Sequence, residues 1–401
     1  MVEKIGLFWF RQDLRLQDNI ALNDLIEKCD KIIPIYIVDE RAEIGAASKW
    51  WLHKSLEQLR FSLKEKKSNL FCFKGSPSEI IDNLINSHKI KYINWNRLYD
   101  KYSIDRDTNI KNKLNSNNIT VQSFGGCLIN EPWVIKNKSG SFFKVFTPYW
   151  NNCLENIDSL NLISVPKKIN TIELKKSNFL SIENLKLFPD SQWTRVLSTY
   201  WSPGEKYAIQ NLSNFKNKVI ENYENGRDRP DKNYTSKLSP HLHFGEISPE
   251  RIYLEIKKKN LNNLESKKKF LAEIGWREFS YNLLFHYPDI RKNPIQKKFK
   301  KFQWKNNSKY LKAWQEGNTG YPIVDAGMRQ LYQTGWMHNR VRMIVGSFLC
   351  KNLLTHWREG EKWFFDKLVD ADLASNSAGW QWVAGCGADA APYFRIFNPI
   401  T

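Results

Sequence analysis

The chain has 401 residues, of which 41% are hydrophobic and 26% are charged, and this length and balance predict a globular protein of two domains. No apolar run approaches the roughly 18 residues of a membrane span, and the N-terminus lacks the layout of a signal peptide, so we expect no membrane partner. Six cysteines without a CxxC pair argue against a disulfide framework and a zinc site, and they favour a reduced, cytoplasmic protein.

The charge of the chain favours a polyanionic partner. Lysine and arginine number 61 against 42 acidic residues, which gives a formal net charge of +19. Part of this excess fits a general lysine-rich composition, but between Arg291 and Lys312 nine basic residues occur with no acidic one. Aromatic side chains, among them Phe302 and Trp304, are interspersed with them. A basic stretch that carries aromatics is typical of a nucleic-acid-binding face.

Residues 1–135 alternate strand-like and helical patterns. Apolar residues recur at helical spacing between the strands, for example over residues 48–64. The alternation predicts an α/β domain with a doubly wound parallel sheet. The loop after the first strand has no glycine fingerprint, so we do not expect a dinucleotide bound as in ordinary dehydrogenases. The predicted strands are residues 5–10, 32–38, 69–75, 92–96 and 120–126.

The rest of the chain has few strand signals. Residues 136–200 are rich in Ser, Asn, Lys and Pro, with Pro189 near their end, and we interpret them as a connector that crosses the surface. Residues 201–401 show helical patterns punctuated by Gly and Pro. They predict a second, all-α domain.

Two segments place polar and aromatic residues on one helical face. A face that mixes Trp, Glu, Asn, Arg and Met fits a pocket better than a core, because an uncompensated buried charge is costly. An interdomain network of salt bridges is the alternative. The residues at helical spacing are Glu273, Trp276, Arg277 and Ser280 in the first segment, and Trp336, Asn339, Arg340 and Met343 in the second.

Three shorter patterns also carry candidate chemistry. Residues 235–240 form a hydroxyl-rich helix start that could meet a phosphate, although most such starts are only caps. Asp370, Asp372 and Asn376 could bind a ribose, a cation or an amide-bearing ring. Two of the sixteen tryptophans, Trp380 and Trp382, point in different directions from one helix, although core packing is the usual role of a tryptophan. We expect no metal, because His241 and His243 have no third ligand at a suitable spacing.

Longer strings resemble the photolyase/cryptochrome family. They cover almost the whole chain: residues 8–16, 235–240, 276–279, 320–326, 334–340, 370–373 and 391–399. Within the family, the chain looks most like a class I cyclobutane pyrimidine dimer photolyase. The resemblance implies an N-terminal α/β domain and an all-α C-terminal domain that holds a folded FAD.

The resemblance also implies which residues hold FAD. Asn376 would face the flavin nitrogen that gains and loses a proton, and an amide can adapt its hydrogen bonding there. The phosphates and ribose would meet Tyr223, Thr235, Ser236, Lys237, Leu238 and Ser239. The flavin and its linker would be surrounded by Arg277, Asn339, Arg342, Asp370, Ala371 and Asp372.

On the substrate side, the resemblance implies damaged DNA with a flipped-out lesion. Trp276 and Trp382 would stack on the lesion, and Glu273 would hydrogen-bond its pyrimidine edge. Excited reduced FAD would donate an electron, the cyclobutane ring would split, and the electron would return. An electron-transfer chain would run from Trp304 through Trp357 to Trp380. Arg227, Arg277, Asn339, Arg340 and Met343 would complete the DNA and substrate side.

Several alternatives stay open from the sequence. Residues 102–103 lack the Asn-Glu pair by which some family members hold a folate, so a second chromophore of folate or deazaflavin type is possible but unidentified. A cryptochrome-type blue-light sensor would share the fold and FAD. A (6-4) photoproduct enzyme would have His where this chain has Asn339. A basic nucleic-acid-binding protein without catalysis is the fourth alternative.

The chain stops at Thr401, where relatives continue, and we expect a monomer.

Overall fold

The N-terminal domain is built on a five-stranded parallel sheet. The computed structural model describes residues 3–157, 160–188, 191–305, 307–390 and 396–400. The strand order is β3-β2-β1-β4-β5, which is that of a doubly wound sheet whose first strand lies in the middle. The strands are β1 (Ile5–Phe10), β2 (Lys31–Val38), β3 (Phe71–Lys74), β4 (Tyr92–Asn96) and β5 (Thr120–Phe124).

The strands are apolar because helices cover both faces of the sheet. Leu7, Phe8, Trp9 and Phe10 of β1 are all at most 1% exposed. The predicted fold class is confirmed, and every predicted strand is present, although β3 is shorter than expected at both ends. The helices of this domain are α1 (Ile20–Lys28), α2 (Ala46–Glu65), α3 (Pro77–His88) and α4 (Lys101–Ser116).

After Phe124 the described part of the chain contains helices and no further strand of the sheet. Short 3-10 turns and two π-helical turns, Phe215–Val219 and Phe348–Asn352, join some of them. No helix in the described ranges is both long and apolar enough to cross a membrane. The helices are α5 (Phe146–Glu155), α6 (Gln192–Tyr200), α7 (Glu205–Asn214), α8 (Tyr223–Gly226), α9 (Ser239–His243), α10 (Pro249–Lys258), α11 (Leu264–His286), α12 (Ser308–Glu316), α13 (Pro322–Thr334), α14 (Asn339–Ser347), α15 (Trp357–Lys367) and α16 (Leu373–Ala384).

The segment 136–200 is more ordered than its composition indicates. It contains α5 and α6, and Tyr149 and Cys153 of α5 are buried. Ile169 is also buried, and isolated bridges join Thr171 to Ile32 and Leu180 to Cys72. The segment therefore packs along the sheet edge and under the helices, because its scattered apolar residues find partners that no local periodicity reveals.

The prediction that Trp336 lies on the same helix as Asn339, Arg340 and Met343 is wrong. Helix α13 ends at Thr334, and Gly335 follows with a φ of +67°, a left-handed conformation that ends the helix. Helix α14 begins only at Asn339. Trp336 lies in the loop between them, where it packs against the hydrophobic cluster of the N-terminal domain. A spacing count alone cannot detect that a glycine interrupts the helix.

Buried polar contacts join the two domains. The Trp51 indole N–H of α2 donates to Glu246 Oε1 at 3.0 Å, and the other Glu246 oxygen contacts the ring of His241. His241 Nε2 in turn lies 3.1 Å from the Asn211 amide. His241 and Glu246 are almost fully buried, so the satisfied network fixes α9 against the N-terminal domain.

Candidate active site

A cavity of about 500 Å³ opens among the helices of the C-terminal domain. Helices α11, α14 and α16 supply most of its wall, and α11 and α15 pack closely against α16. The cavity brings together all five predicted catalytic residues and part of the predicted FAD-binding set. These predicted residues line it: Arg227, Glu273, Trp276, Asn339, Arg340, Arg342, Met343, Asp370, Asn376, Trp380 and Trp382.

Trp276 forms a flat wall on one side of this cavity. Its ring stacks on Phe146 with centroids 3.8 Å apart and planes at 7°, and it meets Phe279 edge to face. Trp276 is half-buried, because this contact covers one face of the indole while the residue also lines the cavity. Phe146 therefore supports Trp276 as a rigid surface on which a planar ring can stack.

Two ion pairs stand beside this wall. Arg227 NH1 donates to Glu273 Oε1 at 2.5 Å. Arg340 binds Asp228 through both ends of its guanidinium, at 2.7 and 2.6 Å. Arg227 and Arg340, two of the three predicted DNA-binding arginines, are therefore each held by a carboxylate. The sequence does not single out Asp228, because one Asp next to the predicted DNA-binding residue Arg227 carries no recognisable signal.

A second group of polar residues lies deeper, around Asp370. The Ser239 hydroxyl donates to Asp370 Oδ2 at 2.6 Å, and Arg342 NH2 donates to both Asp370 oxygens at 3.1 and 2.9 Å. The Asp370 side chain is 3% exposed. This cluster ties the start of α9 to α14, so the hydroxyl-rich segment and the Asp370 motif meet in space, as the resemblance implies.

Asp372 centres a fully buried network. Tyr281 donates to Asp372 Oδ2 at 2.5 Å, His243 Nδ1 lies 3.6 Å from the same oxygen, and the Arg277 guanidinium lies 4.9 Å above the Tyr281 ring. Burial alone would raise the pKa of Asp372, but its contacts with His243, Arg277 and Tyr281 hold that pKa well below the ordinary value. The Asp372 carboxylate therefore keeps its negative charge within this network. Asp372 and Arg277 do not line the cavity with Trp276; Asp372 faces a separate interdomain cleft.

Asn376 is oriented by a residue that the sequence did not reveal. Its amide Nδ2 donates to the Glu361 backbone carbonyl at 3.0 Å and to Glu361 Oε1 at 3.3 Å. Arg291 donates to the same carboxylate at 2.9 Å. The Asn376 carbonyl oxygen is thus left for a group in the cavity. A lone Glu on a mixed helix has no feature that distinguishes it from a solvated residue, and only the packing shows that Glu361 is buried.

Other predicted FAD residues do not line this cavity. Tyr223 packs edge to face against Phe215 and Phe270. Lys237 has a φ of +51°, and its ammonium group lies 5.5 Å from the Trp336 ring. The others that the structure leaves outside the cavity lining are Thr235, Ser236, Leu238, Ser239 and Ala371.

The cavity fits the flavin end of FAD. Gly379 lines it, and a Cβ added there would meet no atom of the described residues within 4 Å, so these residues leave open space beside the backbone of α16. The wall offers the flat Trp380 ring, the amide of Asn376 and the paired charges of Asp370 and Arg342. A mostly apolar cleft with a few convergent polar groups is the usual form of a cofactor site.

A second cavity, of about 620 Å³, lies in the cleft between the domains. Its wall includes Trp9, Arg106 and Asp39 from the N-terminal domain and Tyr281 from the C-terminal domain. Arg106 donates to Asp39 at 3.1 Å and its guanidinium lies 4.9 Å from the Trp9 ring centre. The cleft combines aromatic faces with buried charge, and it is separate from the cavity that Trp276 lines.

Glu278, beside Arg277, gives a pH-dependent test of this packing. Burial raises its pKa from an ordinary value of 4.5 to about 8, although Arg277 and the amides of Ile129 and Asn130 oppose the shift. Between these values the unfolded chain releases a proton that the folded chain retains, so stability falls as the pH rises.

We therefore expect Glu278→Gln to gain stability relative to the wild type by about 1.4 kcal/mol per pH unit between about pH 5 and pH 8. Denaturant unfolding of both proteins across that range measures the difference. A constant difference would show that Glu278 is already ionised in the folded protein.

Comparison with known proteins matches both domains. A family model described as the FAD binding domain of DNA photolyase matches residues 270–401, and one described as DNA photolyase matches residues 6–168. A protein of Agrobacterium fabrum (strain C58 / ATCC 33970), described as a deoxyribodipyrimidine photo-lyase, is 46% identical over 397 residues, 98% of this chain and 83% of that protein. Cryptochrome-1 of Arabidopsis thaliana is 36% identical over 412 residues, 98% of this chain and 60% of that protein.

A solved structure agrees with these matches. The crystal structure of a bacterial class III photolyase from Agrobacterium tumefaciens has a TM-score of 0.96 at 44% identity, and the match covers 100% of this chain and 83% of that one. The predictions of a FAD-binding helical domain and of a photo-lyase enzyme are confirmed. The chain belongs to the DNA photolyase/cryptochrome family.

Proposed function

We propose that the protein repairs cyclobutane pyrimidine dimers in DNA by light-driven electron transfer from FAD to a flipped-out lesion. One observation carries the proposal: a single cavity has Asn376 and Trp380 on one part of its wall and Glu273 and Trp276 on another. A cofactor and a lesion bound there would lie next to each other with no protein layer between them.

In this proposal, the residues of the cavity hold the lesion. Trp276, supported by Phe146, and Trp382 are the stacking surfaces. Glu273 hydrogen-bonds the pyrimidine edge. Because its carboxylate already accepts a hydrogen bond from Arg227, it must either bind both groups at once or release Arg227. Flipping costs a few kcal/mol and costs less for a distorted base pair, so an intact site is disfavoured.

The arginines at the cavity would then turn to DNA phosphates. Arg340 and Asp228 are both more than a third exposed, so their ion pair is worth little in water. A phosphate can replace Asp228 at small cost, and the released arginine then adds to the salt-dependent affinity for DNA.

FAD, when bound, reduced and excited, supplies the electron that splits the dimer and receives it back. The chain itself orients and screens the reacting groups. Glu361 holds the Asn376 amide so that its carbonyl oxygen faces the cavity. Arg342 and Ser239 hold the Asp370 carboxylate in a position suited to the polar part of the cofactor.

The remaining predictions belong to this proposal as well. We propose a monomer with domain boundaries near residues 135 and 200, acting in the cytoplasm, and the interdomain cleft as the place of a second chromophore of folate or deazaflavin type. The placement in class I remains a prediction, since the similar solved structure is described as a class III photolyase.

The lesion specificity has a direct test. Chemically reduced, FAD-loaded protein is illuminated with oligonucleotides that carry either a cyclobutane thymine dimer or a (6-4) photoproduct. We expect light-dependent repair of the cyclobutane dimer alone. Repair of the (6-4) photoproduct would overturn the assignment of substrate. Failure to repair either lesion would instead favour the cryptochrome-type sensor, which the 36% identity to Cryptochrome-1 keeps as the second candidate.

A further inference from the structure

A lysine-rich surface lies outside both cavities. The lysine surface is the name we give to six exposed lysines that are close in sequence and to Phe302, which lies among them in the chain and is 41% exposed. The lysines are Lys297, Lys298, Lys300, Lys301, Lys305 and Lys309. The first four belong to one 3-10 turn, Lys297–Lys301. Within the described ranges none of these lysines forms an ion pair with a carboxylate, so the positive charge of the surface is not neutralised by the protein itself.

A line of aromatic rings leads inward from the lysine surface. The rings of Phe302 and Trp304 have centroids 4.5 Å apart, and Trp304 lies 5.1 Å from His356. His356 in turn lies 5.6 Å from Trp357, which is 1% exposed. His356 also fixes the start of α15, because its Nδ1 accepts from the backbone N–H of Arg358. The four rings therefore form a continuous series of contacts from solvent to the interior.

The path continues to the cavity along α15. A Cβ added at Gly360, one turn after Trp357, would lie 2.1 Å from an atom of the Trp380 ring. Trp380 therefore packs directly on the backbone of α15, where only glycine leaves room for it. Trp380 also lines the cavity that fits the flavin. The lysine surface is thus the solvent end of an aromatic connection to the cofactor site.

We propose that the lysine surface is the docking site of a small acidic iron–sulfur protein that donates one electron. The inference rests on the proposed function and on the electron-transfer chain that the family resemblance implies, in which Trp304 would pass an electron inward. The donor then loses one electron and the oxidised Trp304 ring gains it, so the charge balances and no covalent bond forms or breaks. Docking over Phe302 and Trp304 brings the donor to the end of the aromatic path.

The charge pattern fits such a donor better than a nucleic acid. The surface contains lysines alone, which act as flexible point charges and lack the bidentate fork by which arginine reads phosphate. None of its residues lines the cavity that Trp276 faces. Electron-transfer partners use small interfaces that are steered by opposite charge. The alternative is the nucleic-acid-binding role that the composition of this stretch predicts, and the experiment below distinguishes the two.

The test compares two charge-reversal variants of the FAD-loaded full chain. One carries Lys298→Glu and Lys301→Glu, and the control carries the same changes at Lys167 and Lys168, which are also exposed. An acidic [2Fe–2S] ferredoxin is the probe, and its binding is measured by titration calorimetry at low salt. We expect the first variant to weaken ferredoxin binding by about tenfold or more and the control to leave it nearly unchanged.

Flavin reduction under light gives a second readout. With reduced ferredoxin as the electron donor, the flavin of the first variant should be photoreduced more slowly than that of the wild type, whereas with dithiothreitol the flavins of all three proteins should be reduced at the same rate. Absence of ferredoxin binding by the wild type, or equal weakening in the control, would overturn the proposal. The proposal would also be overturned if the first variant, and not the control, lost affinity for undamaged duplex DNA. Repair by chemically reduced protein needs no ferredoxin, so its failure would contradict the proposed function separately.

Discussion

Trp276→Ala is expected to weaken binding to dimer-containing DNA by roughly tenfold to hundredfold, because stacking on a base is worth about 1–3 kcal/mol. The wild-type indole is stacked on Phe146 and lines the cavity, so its free face is available to the lesion. Binding to undamaged DNA should change little, since phosphate contacts carry that affinity. Fluorescence anisotropy with both DNAs at one salt concentration measures the effect.

Two further variants separate stacking from packing. Trp276→Phe retains a ring against Phe146 and should recover part of the lost affinity. Trp133→Ala removes another partly exposed tryptophan that does not line the cavity, and it should leave both DNA affinities unchanged. Truncation of a fully buried tryptophan costs about 3–5 kcal/mol of stability. A Trp276→Ala protein that unfolded, or that lost affinity for both DNAs equally, would assign Trp276 to the core.

Trp380→Phe is expected to slow light-driven flavin reduction sharply and to leave repair by already reduced protein largely intact. Trp380 lines the cavity and lies edge to face with Phe364, at 4.9 Å between ring centroids. Phenylalanine fills most of the same space but gives up an electron far less readily than tryptophan. A slowdown on the order of tenfold corresponds to about 1.4 kcal/mol of added barrier. Absorbance changes under blue light measure the rate.

Trp314→Phe is the matched control for this experiment. Trp314 is buried in the same cluster, 6.1 Å from Trp380, and its indole N–H donates to the Val345 carbonyl. The change should lower stability through the lost hydrogen bond and the lost volume, yet photoreduction should proceed at the wild-type rate. Equal slowing in both variants would mean that loosened packing, and not the loss of an electron carrier, is the cause.

The sheet could be predicted from the sequence because its strands are continuous apolar runs separated by helical patterns. The start of α14 could not, because Trp336 continues a helical spacing that Gly335 has already ended. The order within residues 136–200 was also missed, since burial of Ile169 depends on distant partners. The string at residues 391–395 lies outside the described residues, so its predicted role stays untested.

The residues of the candidate site also fall into two groups: those that the sequence predicts and those that only the structure reveals. Trp276 and Glu273 share a helical face that spacing reveals, and the structure has both on the cavity wall. Glu361 and Asp228 act through contacts between separate elements, so nothing in their local sequence marks them. Residue types and spacing therefore predict which side chains share a helix face, whereas hydrogen-bond partners depend on how the helices pack.

We propose above that this cavity lets light energy split a pyrimidine dimer. The most direct measurement follows a single thymine dimer in an oligonucleotide incubated with FAD-loaded, chemically reduced protein, in blue light and in the dark. Intact thymines should be recovered over several turnovers in the light and not in the dark. Folded, reduced, FAD-loaded protein that binds the oligonucleotide and leaves the dimer unchanged in the light would contradict the proposal.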